Sequence, residues 1–235
     1  MFKMLVFRYI FLSVLLGVIA IPALAEEQSE ADPWEGFNRA MFRFNDTLDR
    51  YALKPVAQGY KVIMPNLIET GVSNFFGNLS DVGSMLNNLL QLKGHAAGQD
   101  LGRVVFNSTI GLGGIIDVAT PMGLPEHNED FGQTLGYWGM ETGPYLVLPL
   151  LGPSSVRDGI GLIPDSMVDP VGEVDSIRTR NQLYGLRIID TRAGLLAAEQ
   201  LLTGDRYTAM RDAYLQRREF LVNDGKVASF DQDQF

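Results

Sequence analysis

The side chains that could break or make bonds in this chain are few and badly placed to cooperate. Its 235 residues hold two histidines and no cysteine, so thiolate chemistry and disulfides are both out of reach. His95 lies between Gly94 and two alanines with no second histidine at helical spacing, and His127 sits among Asn128, Glu129 and Asp130. Each reads as a surface or structural residue rather than a metal ligand. No serine stands in a G-x-S-x-G elbow and no H-E-x-x-H occurs. Asp158, Asp165 and Asp169 offer carboxylates for acid–base work, but each adjoins a glycine or proline in a turn-rich stretch, where aspartate serves as a cap. The glycine-rich run Asn107 to Asp117 lacks the lysine of a phosphate cradle and follows a helix rather than a strand. The residues give an enzyme hypothesis nothing specific to rest on.

What remains is a chain built to meet surfaces. Residues 1–25 read as a cleaved secretory signal: Lys3 and Arg8, an apolar run from Tyr9 to Ile21 too short to span a bilayer, then the small-residue site Ala23-Leu24-Ala25. The working domain is expected over 26–225, with 226–235 a disordered acidic tail. The net charge is −9 and becomes more negative once Lys3 and Arg8 leave. Such a surface repels nucleic acid and anionic lipid alike, so contact with a membrane has to be apolar.

Helical periodicity dominates. Asp32-Pro33-Trp34-Glu35 carries a helix-start signature with Asp32 as cap. Trp34, Phe37, Met41, Phe44, Leu48 and Tyr51 then recur at steps of three and four, widened by Phe42 into an aromatic band suited to a core or to a lipid–water interface. Lys54-Pro55 and Met64-Pro65 bracket an expected connector. From Asn66 to Gln91, Ile68, Val72, Phe75, Leu79, Val82, Leu86 and Leu89 form one stripe. The opposite face holds asparagines, serines and glycines where a solvated helix carries Lys and Glu, which fits a face turned toward other helices or a wet cavity. Further helices are expected over Gly94–Phe106, Phe131–Tyr137, from about Ile177 to Leu202, and from Tyr207 to Leu221 with Arg211, Arg217, Arg218 and Glu219 on its polar side. The Asn107 to Asp117 run reads as a flexible loop or hairpin.

One stretch resists a globular reading. Gly143 to Gly161 begins with nine uncharged residues, packing Tyr145, Leu146, Val147, Leu148, Leu150 and Leu151 around Pro144 and Pro149. It is too short to cross a bilayer, which takes about 20 apolar residues, and too apolar for water. Burial or shallow membrane contact is left. Pro153, Ser154 and Ser155 are read as the start of a helix.

Several blocks resemble the MlaA (VacJ) family: Asp32 to Arg39, Phe42 to Asn45, Asn74 to Leu79, Asn107 to Asp117, Phe131 to Gly136 and Gly143 to Asp158. The resemblance implies a mostly α, single ring-like domain of amphipathic helices, partly embedded in one membrane leaflet around a central amphipathic channel. It implies an outer-membrane component of a Gram-negative intermembrane phospholipid transport system, which removes mislocalised phospholipid from the outer leaflet and keeps the membrane asymmetric. The implied partners are phospholipid, a trimeric porin, and a periplasmic carrier of the MlaC type that serves an inner-membrane ABC transporter. The resemblance further implies that no reaction is catalysed and no cofactor or metal is needed, and that the protein sits at the periplasmic side of the outer membrane. Many members carry a cysteine after the signal; its absence here implies that no lipoprotein anchor is present.

A lipid path needs a polar side for the head group and an apolar side for the tails, since a charged group in hydrocarbon loses its hydration. The expected lining is Phe44, Asn45, Asn74, Asn78, Asn107, Thr109, Gly111, Gly113, Gly114, Tyr145, Leu146 and Leu148, with Gly111 to Gly114 as a movable element. The alternative for those glycines is that they only allow tight turns. Two other functions compete: a soluble periplasmic lipid-binding or scaffold protein, and a membrane-associated hydrolase, for which no nucleophile is available.

Overall fold

The computed structural model describes residues 32–201 and 204–225; the expected signal at 1–25 and tail at 226–235 lie outside the described residues. The described chain is mostly helical, as expected. Helix α1 (Glu35–Leu48) begins after Trp34 without a side-chain cap. The expected cap, Asp32, is instead fully buried, accepting from Asn38 Nδ2 at 2.8 Å and from the Tyr207 hydroxyl. A partner from the far end of the chain has outcompeted the local backbone.

The expected break at Lys54-Pro55 does not occur. A π-helical turn (Asp49–Leu53) carries α1 into α2 (Lys54–Ile63), and Pro55 falls in the first turn of α2, directly after the π-helical turn. The chain turns at Met64 and Pro65, both extended, and runs through α3 (Asn66–Leu90). Leu92 takes a left-handed conformation, φ 59°, and Lys93 N donates back to Asn88 O at 2.8 Å, closing the helix end. Helix α4 (Gly94–Thr109) returns along α3 in the most extensive helix pairing of the fold.

The short α5 (Phe131–Tyr137) is capped by the Asp130 carboxylate, which accepts from Gln133 N. The stretch after it corrects the sequence reading: Tyr145–Leu148 (β1) and Gly152–Ser155 (β2) form an antiparallel hairpin, with Tyr145 opposite Ser155 and Leu148 opposite Gly152. Pro153 therefore belongs to a strand, and Ser155 alone is the cap of α6 (Val156–Val168), accepting from Asp158 N. A 3-10 turn (Pro170–Glu173), α7 (Ile177–Leu195), a second 3-10 turn (Ala198–Leu201) and α8 (Arg206–Val222) complete the order. Asp205 caps α8 through Tyr207 N, and Gly225 follows its end with φ 76°.

The packing is unusual for a helical protein. Among the described residues, buried polar and charged side chains outnumber buried hydrophobic ones, while many large hydrophobics are exposed. Two small apolar clusters exist. Ala57, Tyr60 and Ala193 join α2 to α7, and Tyr145, Val147 and Tyr207 join the hairpin to α8, flanked by Met41, Phe42, Tyr214 and Leu215.

Candidate functional site

Helix α3 is turned inside out. Its buried residues are Gly71, Phe76, Asn78, Asp81, Ser84, Asn87 and Asn88, so the neutral polar face packs inward as its composition predicts. No member of the apolar stripe is fully buried, and Leu67 stands 85% exposed on the outer side with Ile68 and Leu89. Helix α4 behaves likewise: Ala97, Asp100, Arg103 and Asn107 point inward, and Leu101 and Val105 outward.

The seam between them is held by side-chain hydrogen bonds. Arg103 Nε donates to Asp81 Oδ2 at 3.0 Å while Nη1 reaches Thr120 Oγ1 and the Leu124 carbonyl. Asn88 Nδ2 donates to Asp100 at 2.8 Å, and the other oxygen of Asp100 meets His127 Nδ1 at 2.6 Å. His127 is thus structural, as its setting suggested. Burial pushes the Asp81 carboxyl up to about 6 although Arg103 opposes the shift.

The loop after α4 is closed at its base by Asn107, which is buried. Its Oδ1 accepts from Val118 N at 2.8 Å and Ala119 N at 3.0 Å, and its Nδ2 donates to Asp117. Gly114 N donates to Asn107 O, and Asn78 Nδ2 donates to Ser108 Oγ at 3.0 Å. Asn74 Nδ2 holds the far side through Ile115 O. Gly111 and Gly114 are packed: a Cβ on Gly111 would lie 2.1 Å from Ile116 O, and one on Gly114 would lie 2.7 Å from Asn78 Nδ2. Gly113 is open, with φ 73°. Thr109 is exposed and donates to Val105 O. The tip itself is apolar: Ile110, Leu112, Ile115 and Ile116 are all exposed, Leu112 at 68%. The loop is therefore a polar knot carrying a greasy crown.

The second half of the expected lining lies at the hairpin. Asn45 Nδ2 donates to Leu148 O at 2.9 Å and its Oδ1 accepts from Leu150 N at 2.8 Å. Asn38, two turns earlier on the same helix face, clips Tyr145 O and Val147 N in the same fashion. The sequence reading missed Asn38, whose only signal was its seven-residue spacing from Asn45. Tyr145 is fully buried against Tyr207 and Tyr214, Leu146 and Leu148 are half-buried, and Phe44, Leu150 and Leu151 are exposed. The structure gathers Asn74, Asn78, Asn107 and the glycines at one place and Phe44, Asn45, Tyr145, Leu146 and Leu148 at another. No hydrogen bond links the two groups among the described residues.

A third polar assembly escaped the sequence reading. Arg218, expected on a solvated face, is buried, donating to Asp130 at 2.8 Å and to Asp158 at 2.9 Å. Asp158 also takes the Tyr214 hydroxyl at 2.5 Å. Burial would raise the Asp130 carboxyl, but Arg218 holds it below the usual carboxylate range. Asp165 accepts from Phe131 N at 3.0 Å, a bond that lowers its carboxyl less than burial raises it, to about 6. Of the aspartates expected as turn caps, Asp169 is one, accepting from Val171 N at 3.1 Å and forming a two-pronged pair with Arg187, whereas Asp158 and Asp165 lie inside α6 and bond to other elements. No group of metal-ligating side chains is present among the described residues. Nor is any helix among them long and apolar enough to cross a membrane.

The chain matches the family described as MlaA lipoprotein over residues 30–221. The "Intermembrane phospholipid transport system lipoprotein MlaA" of Escherichia coli (strain K12) is 37% identical over 211 residues, 86% of this chain and 82% of the relative. The protein of the same name from Haemophilus influenzae is 33% identical over 228 residues, covering 92% and 91% respectively. A solved chain from work on the "structural basis for maintenance of bacterial outer membrane lipid asymmetry" superposes with a TM-score of 0.72 at 36% identity, over 82% of this chain and 99% of that one. The word lipoprotein in these names stands against the expectation of an unanchored protein, which rests on the missing cysteine.

Proposed function

The chain belongs to the MlaA lipoprotein family, and from that premise we propose that it is the outer-membrane component of an intermembrane phospholipid transport system. In this role it takes mislocalised phospholipid from the outer leaflet and so maintains lipid asymmetry, without catalysing a reaction. The observation that carries the reading is the inverted α3–α4 pair. A helix pair with asparagine, serine and aspartate inside and leucine and isoleucine outside is unfavourable in water, because each exposed apolar side chain forfeits about 25 cal/mol per Å². It is favourable with acyl chains on its outer face. No helix among the described residues is both long and apolar enough to cross, and this reading has the body at shallow depth in one leaflet, held by its exposed apolar side chains.

The head-group side of the path is assigned to Asn74, Thr109 and Gly113 with the backbone of the Gly111 to Gly114 turn, and the tail side to Phe44, Leu146 and Leu148. Asn78, Asn107, Asn45 and Tyr145 hold those surfaces in place rather than line them. The tight bonds of Asn107 make the loop move as one unit, hinged where α4 ends. The Asp32–Tyr207 bond joins the two ends of the described chain, which favours one unit over 26–225. The finer partners are a trimeric porin, against the exposed apolar belt, and a soluble carrier of the MlaC type that delivers to an inner-membrane ABC transporter.

The test is to replace the outward leucines Leu67 and Leu112 together with glutamate. The double variant should leave the membrane fraction, and an impermeant amine label should then detect more phospholipid in the outer leaflet. Unchanged fractionation and unchanged labelling would refute the reading. Release of the unmodified protein by salt or mild alkali would favour a soluble periplasmic binder instead.

A further inference from the structure

Where α5 leads into β1 there is a cavity of about 450 Å³, walled by Gly136, Met140, Leu215 and Val222, with Glu141 and Glu219 at its mouth. None of these belongs to the lipid path assigned above. Its charge is one-sided. The guanidinium groups nearby are already taken, Arg157 by Asp158, and Arg218 by Asp130 and Asp158. Glu141 and Glu219 are exposed, and no described basic side chain pairs with either. An occupant that fits brings an apolar group for the walls and a cation for the mouth.

The chain carries both just past the end of α8. Leu215, Glu219 and Val222 share one face of that helix, which stops at the cavity. Asp224 and Gly225 then take left-handed conformations, φ 52° and 76°, and Gly225 N donates back to Phe220 O at 2.9 Å. Lys93 pairs with Asp224 and fixes the turn. Such a turn ends a helix and redirects the chain, so residues 226–235 set off from a fixed point at the mouth. Lys226 comes first, and Phe230 is the first aromatic residue. Retracing α8 from Val222 to Leu215 takes about 10 Å at 1.5 Å per residue, and five extended residues reach up to about 17 Å. We propose that residues 226–230 fold back over this cavity, with Lys226 between Glu141 and Glu219 and the Phe230 ring against Met140, Leu215 and Val222. Tethering holds the segment at an effective concentration on the order of millimolar, so a contact too weak to join separate molecules is enough. The ion pairs, lying at the surface, orient more than they bind. The arrangement narrows the expected disordered tail to 231–235, where Asp231 and Asp233 stay in water beyond the acidic mouth. It also braces Gly139 to Gly143, the segment that leads into β1.

The chain has no cysteine, so a single one reports without interference. Met140, 39% exposed, is the place for it. The rate of maleimide labelling of Met140→Cys is measured in the full chain in detergent and in the same variant stopped after Gly225. The full chain should label about tenfold more slowly, and adding Phe230→Ala should restore the fast rate. Lys226→Glu, which sets a third carboxylate at the mouth, should restore part of it. Equal rates in the full and shortened chains overturn the proposal. Protection that outlasts the shortening overturns it too, since detergent or another occupant then covers the cavity, and protection that grows with protein concentration assigns the segment to a second copy. A disulfide gives an independent reading. Met140→Cys/Ser229→Cys should close within one chain about tenfold faster than Met140→Cys/Gln234→Cys, beyond the roughly threefold that tail length alone gives. Closure rates within that threefold overturn the fold-back.

Discussion

The α3–α4 seam and the Tyr145–Tyr207 cluster solve the same problem, joining elements distant in sequence, with opposite materials. Around Tyr207 the protein packs as water-soluble proteins do: aromatic rings meet edge to face, with Phe42 at 5.7 Å and Tyr145 at 6.2 Å between centroids. Along α3 and α4 the buried contacts are Asp81–Arg103, Asn88–Asp100 and the Asn107 knot. On the proposed function, what differs is the medium outside. Where water is the surroundings, apolar side chains gain by turning inward. Where hydrocarbon is the surroundings, that gain vanishes, and cohesion has to come from polar groups and close approach. On the proposed function, the contrast separates a water-facing from a lipid-facing part of one small body.

The sharpest way to break the comparison is Arg103→Ala. It strands Asp81 without its counter-charge and should cost about 3–5 kcal/mol, read as a lowered midpoint of denaturant unfolding in detergent. Swapping both residues for methionine and leucine should cost far less, since the penalty comes from the orphaned charge. A loss below about 1 kcal/mol for Arg103→Ala would mean the seam does not carry the pair.

In the other region, Tyr207→Phe keeps the ring but strips the hydroxyl from the buried Asp32 carboxylate. The expected cost is about 1–3 kcal/mol, smaller because Arg211 remains beside Asp32 at 3.5 Å. Thermal unfolding of the two variants side by side ranks the regions.

The smallest effect is one of pH. Asp81 and Asp165 both titrate near 6 when folded, above the usual carboxylate value. The folded state therefore binds more protons than the unfolded chain between about pH 4 and pH 6, and these groups make stability fall as pH rises through that window. Glu199, held down to about 2 by Arg192, acts in the reverse sense, losing its contribution as pH falls from about 4.5. Asp81→Asn should flatten the fall between pH 4 and pH 6 and leave the acid limb from Glu199 intact; a curve that keeps its slope would show that Asp81 ionises normally.

Most helices were legible because their signals are local; α2 was not, because Pro55 and Pro65 mark its segment as a connector. The asparagines and serines of α3 occupied positions where a solvated helix carries lysine and glutamate, and that alone told which way the face turns. The hairpin was not legible: Tyr145 to Leu148 is flanked by prolines and lacks polar alternation, and its register is fixed by Asn38 and Asn45 on a helix a hundred residues upstream. Arg218 looked solvated for the same reason, since Asp130 and Asp158 reach it only through the fold. Asp32 carried a sound helix-start signature and lost it to Tyr207. Of the expected lining, sequence alone could not separate the exposed side chains, such as Phe44 and Thr109, from the buried ones that brace their neighbours, such as Asn107 and Tyr145.

The π-helical turn at Asp49–Leu53 has a consequence for how this fold tolerates change in length. Such a turn holds one residue more than an α-helical turn needs, so it works as a phase adjuster between α1 and α2. Deleting a single residue there would restore ordinary winding with α2 still in phase, whereas deleting one from the regular winding of α1 would swing α2 by about 100° about its axis. Ala57 and Tyr60 would leave Ala193, and the link from the first helix to α7 would be lost although every other side chain stayed the same.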